Sequence, residues 1–331
     1  MRIQPAEISP NLVPPPAGLA GRVDVETAGR LAGLSPLTIA DRELFVSAIG
    51  RSGLRSWMHY FPFLHSFGMA PNRPLLWEMI GDSLCIYSLR PFNGVPRLRL
   101  YLPPIPWSIE AIAATEARQR AFNGDSHCII VWADQQAAPE LMRRGYRLSY
   151  CESDYIYDGN LVRASAGGAF ARLRRSVNRL RSMPDLAVRD YMPEDREACL
   201  DLLERWRDLR EGQGIPIDGY AYTRRGVENV ALYGKDLCRG EVVTLDDRLV
   251  AFSFGGPISP GVESIFITIS DHEVVGLGYL QRHSFMSNSP QTGFFNDGSD
   301  AGKSGLEQVK SSFRAVEMNH QYRAHLGEWD S

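Results

Sequence analysis

Apolar and polar positions change their spacing several times along the first half of the chain, which indicates alternating strands and helices. Strands are predicted at residues 75–80, 83–89 and 97–102, with Gly81-Asp82 as a tight hairpin turn between the first two. A helix at 109–121, an apolar strand at 128–132, a short helix at 137–143 and a strand at 150–157 follow. This order predicts an α/β half with a mixed sheet.

The second half shows a similar succession of elements. A basic helix is predicted at 161–181, a strand at 186–191 and a helix that begins at Pro193, since proline suits the first helical turn. A hairpin that turns at Asp246-Asp247 joins strands at 241–245 and 248–254. A strand at 264–269, a helix at 276–286, a strand at 293–296 and a helix at 302–313 complete the half. The matching order predicts a structural duplication, although no sequence repeat accompanies it.

These patterns divide the chain into three parts. Residues 1–20 are rich in proline and are predicted to form an extended lead-in. Residues 21–158 are predicted to form the first domain and residues 159–331 the second. Each domain is long enough to bury a hydrophobic core of its own.

Composition narrows the class of protein. The 331 residues are 44% hydrophobic and 23% charged, which is typical of a globular protein and excludes a disordered or fibrous chain. The net charge of −3 argues against nonspecific coating of nucleic acid, so any nucleic-acid contact is expected at a local patch. The five cysteines include no CxxC pair, and no metal site is predicted. No apolar run approaches the about 20 residues of a membrane span, and a cytoplasmic location is predicted.

A glycine-bearing turn, Val275-Gly276-Leu277-Gly278, lies between a predicted strand and a predicted helix. Glycine allows a phosphate to approach the backbone closely, and the start of a helix offers free N–H donors. GCN5-related acyltransferases use this order of elements to hold the pyrophosphate of coenzyme A. The same glycines are equally compatible with a tight turn and no ligand.

Positive charge is concentrated in the basic helix. Six arginines fall in a stretch without an acidic residue, namely Arg163, Arg172, Arg174, Arg175, Arg179 and Arg181. Guanidinium groups match phosphates in a two-pronged geometry, so this surface suits an RNA backbone or a phospholipid head group. A solvated helix face that pairs with nearby carboxylates is the alternative.

A third candidate segment runs from Asn296 to Arg314. Asp300 and Lys303 precede a helix that carries Lys310. A carboxylate and an amine that converge at a helix start can orient an acceptor and stabilise developing negative charge. A capped loop with a surface ion pair explains the same pattern. The histidines are scattered, and no metalloprotease, serine hydrolase, P-loop or dinucleotide motif is present.

Three segments together resemble one family. Residues 153–158 read SDYIYD, residues 170–180 read FARLRRSVNRL, and the end of the chain has Asn296, Asp300, Gly302, Gly305, Leu306, Lys310 and Phe313 at the matching spacing. This combination resembles the C-terminal domain family of phosphatidylglycerol lysyltransferases, and Tyr101-Leu102-Pro103-Pro104 adds to the likeness. The likeness covers roughly residues 44–314, although Asp297-Gly298-Ser299 stands where the family often has charged residues.

The resemblance implies an α/β (α+β) fold of two tandem GCN5-related acyltransferase-like domains, with the site mainly in the second. It implies transfer of an amino acid from aminoacyl-tRNA, the co-substrate, to a small-molecule or phospholipid head-group acceptor, without a bound cofactor. Asp300 and Lys310 are the implied catalytic residues, and further residues are implied to bind the substrate (Asn296, Lys303, Phe313 and Tyr155). Those expected to meet tRNA or phosphate are Arg172, Arg174, Arg175, Arg179, Gly276 and Gly278.

The glycine turn keeps an alternative activity open, an N-acyltransferase that uses acyl-coenzyme A. A noncatalytic protein that binds a nucleotide or a lipid head group is a third possibility. The aminoacyl ester is already activated, so an aminoacyltransferase chiefly has to align the nucleophile with the ester carbonyl. A covalent enzyme intermediate is then unnecessary, which agrees with the lack of a convincing Ser–His or Cys–His arrangement.

Overall fold

The computed structural model describes residues 32–69, 74–92, 95–217 and 219–327. The predicted lead-in at residues 1–20 lies outside these residues. The described residues belong to two compact units: unit 1 takes them from Met1–Ser52, Phe67–Cys151 and Gln321–Ser331, and unit 2 from Gly53–Ser66 and Glu152–His320. The domain boundary at Asp158 stays a prediction.

Unit 1 contains the following elements: β1 (Ser35–Pro36), α1 (Arg42–Ser52), β2 (Leu75–Ile80), β3 (Ser83–Phe92), β4 (Val95–Leu100), α3 (Ile109–Asn123), β5 (Cys128–Asp134) and α4 (Ala138–Arg143). The division between the units falls within α2 (Phe61–Gly68), β6 (Arg147–Asp158) and β12 (Glu317–Leu326). A 3-10 turn at Ile39–Asp41 leads into α1.

Unit 2 contains the following elements: α5 (Gly159–Ala164), α6 (Ala171–Arg181), β7 (Leu186–Asp190), α7 (Arg196–Gly212), α8 (Tyr220–Tyr233), β8 (Arg239–Leu245), β9 (Arg248–Ser259), β10 (Val262–Ser270), α9 (Leu277–Ser287), β11 (Phe294–Asn296) and α10 (Ser304–Ser311). Single 3-10 turns occur at Trp57–His59, Gly168–Phe170 and Pro193–Asp195.

The sheet of unit 1 has the strand order β1-β2-β3-β4-β5-β12. β4 and β5 run parallel, because α3 connects them as a crossover, and the other pairs are antiparallel. Its core packs α3 against one face of the sheet, with Leu98, Leu100, Ile112 and Ile130 fully buried.

The sheet of unit 2 has the order β6-β11-β10-β9-β8-β7, and its parallel pair is β10 and β11. This order repeats that of unit 1, with four antiparallel strands, a crossover helix and a parallel fifth strand. Within β10, only Val262, Glu263 and Ser264 pair with β11, so the rest of β10 has no partner on that side. A register shift between Ile265 and Ile267 bends β10 at the same place. The two parallel strands therefore part, and the loop after β11 lies at this opening.

Most predicted elements are confirmed, with ends that differ by a few residues. The turn at Asp246-Asp247 has φ values of 50° and 61°, as a two-residue hairpin that follows the sheet twist requires. Pro193 opens a 3-10 turn that continues into α7, where Leu202 and Leu203 are buried.

The single basic helix at 161–181 was a wrong prediction. The chain forms α5 and α6 instead, because Ser165 adopts a left-handed φ of 41° and Gly167 a φ of 77°, which end α5. The sequence patterns also missed α8 and β12, although Val227, Val230 and Tyr233 of α8 recur at helical spacing.

Candidate functional site

Asn296, at the end of β11, fixes the start of the loop that follows. Its side-chain nitrogen donates to the carbonyl oxygen of Arg55 at 2.7 Å and to Oδ2 of Asp154 at 3.0 Å. Its side-chain oxygen accepts from the backbone N–H of Gly298 at 2.7 Å. Gly298 has a φ of 62°, a conformation that suits glycine. Asn296 and Asp154 are fully buried. This predicted substrate-binding residue therefore shapes the loop.

Asp297 forms a buried ion pair that spans the opening between β10 and β11. Its Oδ2 accepts from Nε of Arg282 on α9 at 2.8 Å, and both side chains are at most 5% exposed. Arg282 also donates to the hydroxyl of Thr268 on β10 at 2.8 Å. A buried arginine of this kind needs a carboxylate, because an unpaired charge is costly in an apolar interior. Arg282 thereby ties the unpaired part of β10 to the loop after β11.

Lys310, on α10, points into the same loop. Its amine donates to the carbonyl oxygens of Asp297, Gly298 (3.2 Å) and Ser299 (2.8 Å), and lies 3.7 Å from Oδ1 of Asp297. Burial lowers the pKa of Lys310 to about 8, and the Asp297 carboxylate acts in the opposite direction. Three carbonyls occupy the three donor positions of the ammonium group. Lys310 therefore holds the loop, and its predicted catalytic role stays a prediction.

Two half-exposed carboxylates lie at the surface of this loop. Oδ2 of Asp300 accepts from the hydroxyl of Tyr155 at 2.6 Å, and Oδ1 accepts from the backbone N–H of Gly302 at 2.8 Å. Glu152 on β6 accepts from the hydroxyl of Ser299 at 2.7 Å. Burial raises the pKa of the Glu152 carboxyl, and the neighbouring Asp300 carboxylate adds to the rise. The two carboxylates are therefore close enough to repel each other.

Tyr155 belongs to the same cluster. Burial and the hydrogen bond to Asp300 raise the pKa of Tyr155 to about 12, so its hydroxyl remains a donor at neutral pH. The amine of Lys310 lies 5.8 Å from the centre of the Tyr155 ring. The structure thus brings together four of the predicted residues, Tyr155, Asn296, Asp300 and Lys310.

The basic helix α6 packs against α9 at the glycine turn. The guanidinium of Arg179 donates to the carbonyl oxygen of Val275, and a Cβ at Gly276 would lie 2.9 Å from it. Gly276 has a φ of 102°, whereas a Cβ at Gly278 would make ordinary contacts with Val309. Arg179 and Gly276 therefore adjoin the start of α9, and Gly278 sits one residue further along it.

The other arginines of α6 differ in their surroundings. Arg174 donates to the carbonyl oxygens of Ser165 and Gly167 and so closes the turn between α5 and α6. Arg172 lies against the side chain of Gln308 on α10, and both Arg172 and Arg175 are exposed. Of the exposed arginines predicted to meet phosphate, Arg172 thus borders α10 and Arg179 borders the start of α9.

Two predicted substrate-binding residues lie apart from the carboxylate pair. Phe313 is fully buried, with its ring 5.6 Å from that of Tyr157, and belongs to the core. Lys303 precedes the first residue of α10 and is half-exposed. Sequence reasoning missed Glu152, Asp154, Arg282 and Asp297. A signal existed for two of them, because Glu152 and Asp154 alternate along a strand and so share one face.

No protein-family profile and no curated protein sequence matches the chain. Solved structures do. A conserved protein of unknown function from Bacteroides thetaiotaomicron VPI-5482 matches with a TM-score of 0.75 and 20% identity, over 89% of this chain and 99% of that one. The C-terminal domain of a lysylphosphatidylglycerol synthetase from Agrobacterium fabrum matches with a TM-score of 0.62 and 12% identity, over 88% and 93%. L-PGS from Bacillus licheniformis matches with a TM-score of 0.61 and 15% identity, over 86% and 91%.

The chain has the fold of these proteins. The predicted resemblance is confirmed at this level, and so is the α/β fold class, with a mixed sheet in each of two units. Identities of this size establish the fold alone. Along the part of the chain that the structure describes, no helix is long and apolar enough to cross a bilayer.

Proposed function

We propose that this protein is an aminoacyltransferase that moves an amino acid from aminoacyl-tRNA to a small-molecule or lipid acceptor. The observation that carries the proposal is the pair of half-exposed carboxylates, Glu152 on β6 and Asp300 on the loop after β11, a loop that the buried Asp297–Arg282 ion pair holds in place. An aminoacyl ester carries a cationic α-ammonium group, for which two neighbouring carboxylates are a fitting partner. Proteins of the same fold that are named for lysylphosphatidylglycerol synthesis support the proposal.

In this proposal Asp300 contacts the substrate, and Lys310 and Asp297 are positioning residues. The loop 297–300 is anchored by three carbonyl contacts to one ammonium group, so Asp300 starts from a fixed place. The ester bond breaks when the nucleophile of the acceptor attacks its carbonyl carbon. The aminoacyl group is then bonded to the acceptor, and the 3′ oxygen of the tRNA leaves and takes up the proton that the acceptor loses, which regenerates the 3′ hydroxyl.

The exposed arginines of α6 are proposed to contact the tRNA backbone. Arg172 and Arg175 are the candidates, since Arg174 is bound to backbone carbonyls. We expect the double variant Arg172→Ala/Arg175→Ala to bind tRNA less tightly and with a smaller salt dependence, because fewer counterions are released. The matched control is Arg51→Ala, which removes an exposed arginine of α1 in unit 1. Equal losses in both proteins would remove α6 from the proposal.

The activity test uses the full chain and a pool of tRNA charged with radiolabelled amino acids. Loss of label from one tRNA species, dependent on an added amine or on phosphatidylglycerol vesicles, supports the proposal and identifies the amino acid. Release of coenzyme A from acyl-coenzyme A instead, with all charged tRNAs intact, would replace it with the alternative activity. Binding of tRNA without turnover by any acceptor would indicate a noncatalytic protein.

A further inference from the structure

Unit 1 contains a basic cavity that the proposed transfer reaction does not use. The cavity has a volume of about 280 Å³ and is lined in part by Phe92, Arg97, Arg99 and Ile129. Arg97 and Arg99 alternate along β4 with the buried Leu98 and Leu100. Their side chains therefore lie on the face of the sheet that is opposite the core.

Further cations lie on this face. On β12, His325 pairs in register with Ile129 of β5, and Arg323 precedes it by two positions and so shares its side of the strand. On β3, Arg90 stands directly opposite Arg97. Like charges placed opposite each other in a sheet repel. This face of unit 1 therefore concentrates positive charge.

Little negative charge balances these cations. The carboxylate among the lining residues is Asp125, and it is bound to Arg97. Among the described residues, neither Arg99 nor Arg323 forms an ion pair, and Nε of Arg99 is buried without a hydrogen-bond partner. Burial lowers the pKa of Arg99, and the charges of Arg323 and Arg97 lower it further. Burial and the charges of Arg323, Arg147 and Arg99 lower the pKa of His325 in the same way.

We propose that this cavity binds a phosphate monoester whose organic part is apolar or planar. A phosphate monoester carries about two negative charges near neutral pH and offers several strong acceptor oxygens. Arg99 lines the cavity, and the charge of Arg323 acts on Arg99, so these two guanidinium groups match that charge; guanidinium forks also match the phosphate oxygens. Phe92, a residue that is 52% exposed, and Ile129 supply an apolar wall for the organic part.

The size of the cavity favours a small molecule over a nucleic-acid strand. A volume of about 280 Å³ lies just below the range of typical ligand pockets, roughly 300–1,000 Å³. It is sufficient for one phosphate group with one small organic group. The charges of Arg323 and Arg97 also repel that of Arg99, and a bound dianion would relieve this repulsion.

The test is equilibrium binding of AMP to the full chain by isothermal titration calorimetry, with inorganic phosphate and adenosine as comparison ligands. We expect AMP to bind more tightly than inorganic phosphate, and adenosine not to bind. Arg99→Gln should weaken AMP binding by about tenfold or more, since a charge-assisted contact is lost. Phe92→Ala should weaken AMP binding and leave inorganic phosphate unchanged. The control is Arg143→Gln, which removes an exposed arginine of α4 paired with Glu140.

Two results would overturn the proposal. One is AMP binding that Arg99→Gln and Arg323→Gln leave unchanged while both variants keep the near-ultraviolet circular dichroism of the wild type. The other is the absence of AMP and phosphate binding by the wild-type protein. Equal affinity for AMP and inorganic phosphate would overturn the assignment of Phe92 and Ile129 to an organic part. None of these outcomes depends on aminoacyl transfer.

Discussion

The two units handle partly buried positive charge in opposite ways. In unit 2, Arg282 and Lys310 share the buried carboxylate of Asp297, and backbone carbonyls take the remaining donors of Lys310. In unit 1, Arg99 has a buried Nε without a partner among the described residues, and its charged neighbours are other arginines. A charge that the fold itself satisfies stabilises the fold and fixes a loop. A charge that the fold leaves unsatisfied is available to a ligand.

The variant Asp297→Asn tests this comparison with the largest expected effect on the protein. It leaves Arg282 and Lys310 buried without a counter-charge, and we expect the free energy of unfolding to fall by about 3–5 kcal/mol. Urea denaturation followed by circular dichroism measures it. The matched control is Asp300→Asn, a half-exposed carboxylate on the same loop, for which a loss of less than about 1 kcal/mol is expected. Similar losses in the two variants would show that Asp297 has no special place in the fold.

The pH dependence of stability tests the buried amine. The pKa of Lys310 in the fold, about 8, lies below the value of about 10.4 for an exposed lysine. The unfolded chain therefore holds more protons between these values, and the free energy of unfolding should rise as the pH increases from about 8 to about 10. The variant Lys310→Met should lack that rise. Parallel curves for the two proteins, measured by urea denaturation at each pH, would contradict the account.

A smaller effect is expected from Tyr155→Phe. The change removes the hydrogen bond to Asp300 and leaves the ring in place, so the unfolding free energy should fall by about 1 kcal/mol. Aminoacyl transfer should fall more steeply than stability, since Asp300 loses the contact that orients it. A transfer rate equal to that of the wild type would show that the orientation of Asp300 by Tyr155 does not matter for the reaction. Tyr146→Phe, which removes a buried hydroxyl bound to Glu116 in unit 1, is the control.

The smallest expected effect has the opposite sign. Arg323→Gln removes one exposed charge from the basic face of unit 1, and we expect the protein to become more stable by about 0.5 kcal/mol at low salt. The gain should disappear in about 1 M sodium chloride, because salt screens exposed charges. Thermal unfolding at the two salt concentrations measures it. A loss of stability at low salt would mean that Arg323 is satisfied within the fold, as Arg282 is.

Local patterns were enough to predict most strands and the α/β class. The apolar run at residues 75–80 and the Asp246-Asp247 turn are short-range signals, and the strand and the hairpin turn that they predict are both confirmed. The break between α5 and α6 was missed although Gly167-Gly168, a dipeptide typical of loops, begins two residues after Ser165. The missed α8 is defined by its packing against α7, which is a property of the fold and not of the segment.

The candidate site was also predictable only in part. Asp300, Asn296 and Lys310 were found by their resemblance to a family, and they do adjoin one loop. Arg282 stands between Gln281 and His283, so the sequence does not set it apart; the parting of β10 and β11 explains why it faces inward. Glu152 comes from a strand that precedes Asp300 by more than a hundred residues. Long-range pairings of this kind leave no trace in a single sequence.

The most direct test of the proposed function compares two ligands that differ by one charge. Aminoacyl-tRNA carries the α-ammonium group that Glu152 and Asp300 are proposed to bind, and N-acetyl-aminoacyl-tRNA does not. Filter binding at low salt should show that the wild-type protein prefers the charged form by about tenfold or more. In Glu152→Gln/Asp300→Asn this preference should largely vanish. Equal affinity of the wild-type protein for the two ligands would contradict the account.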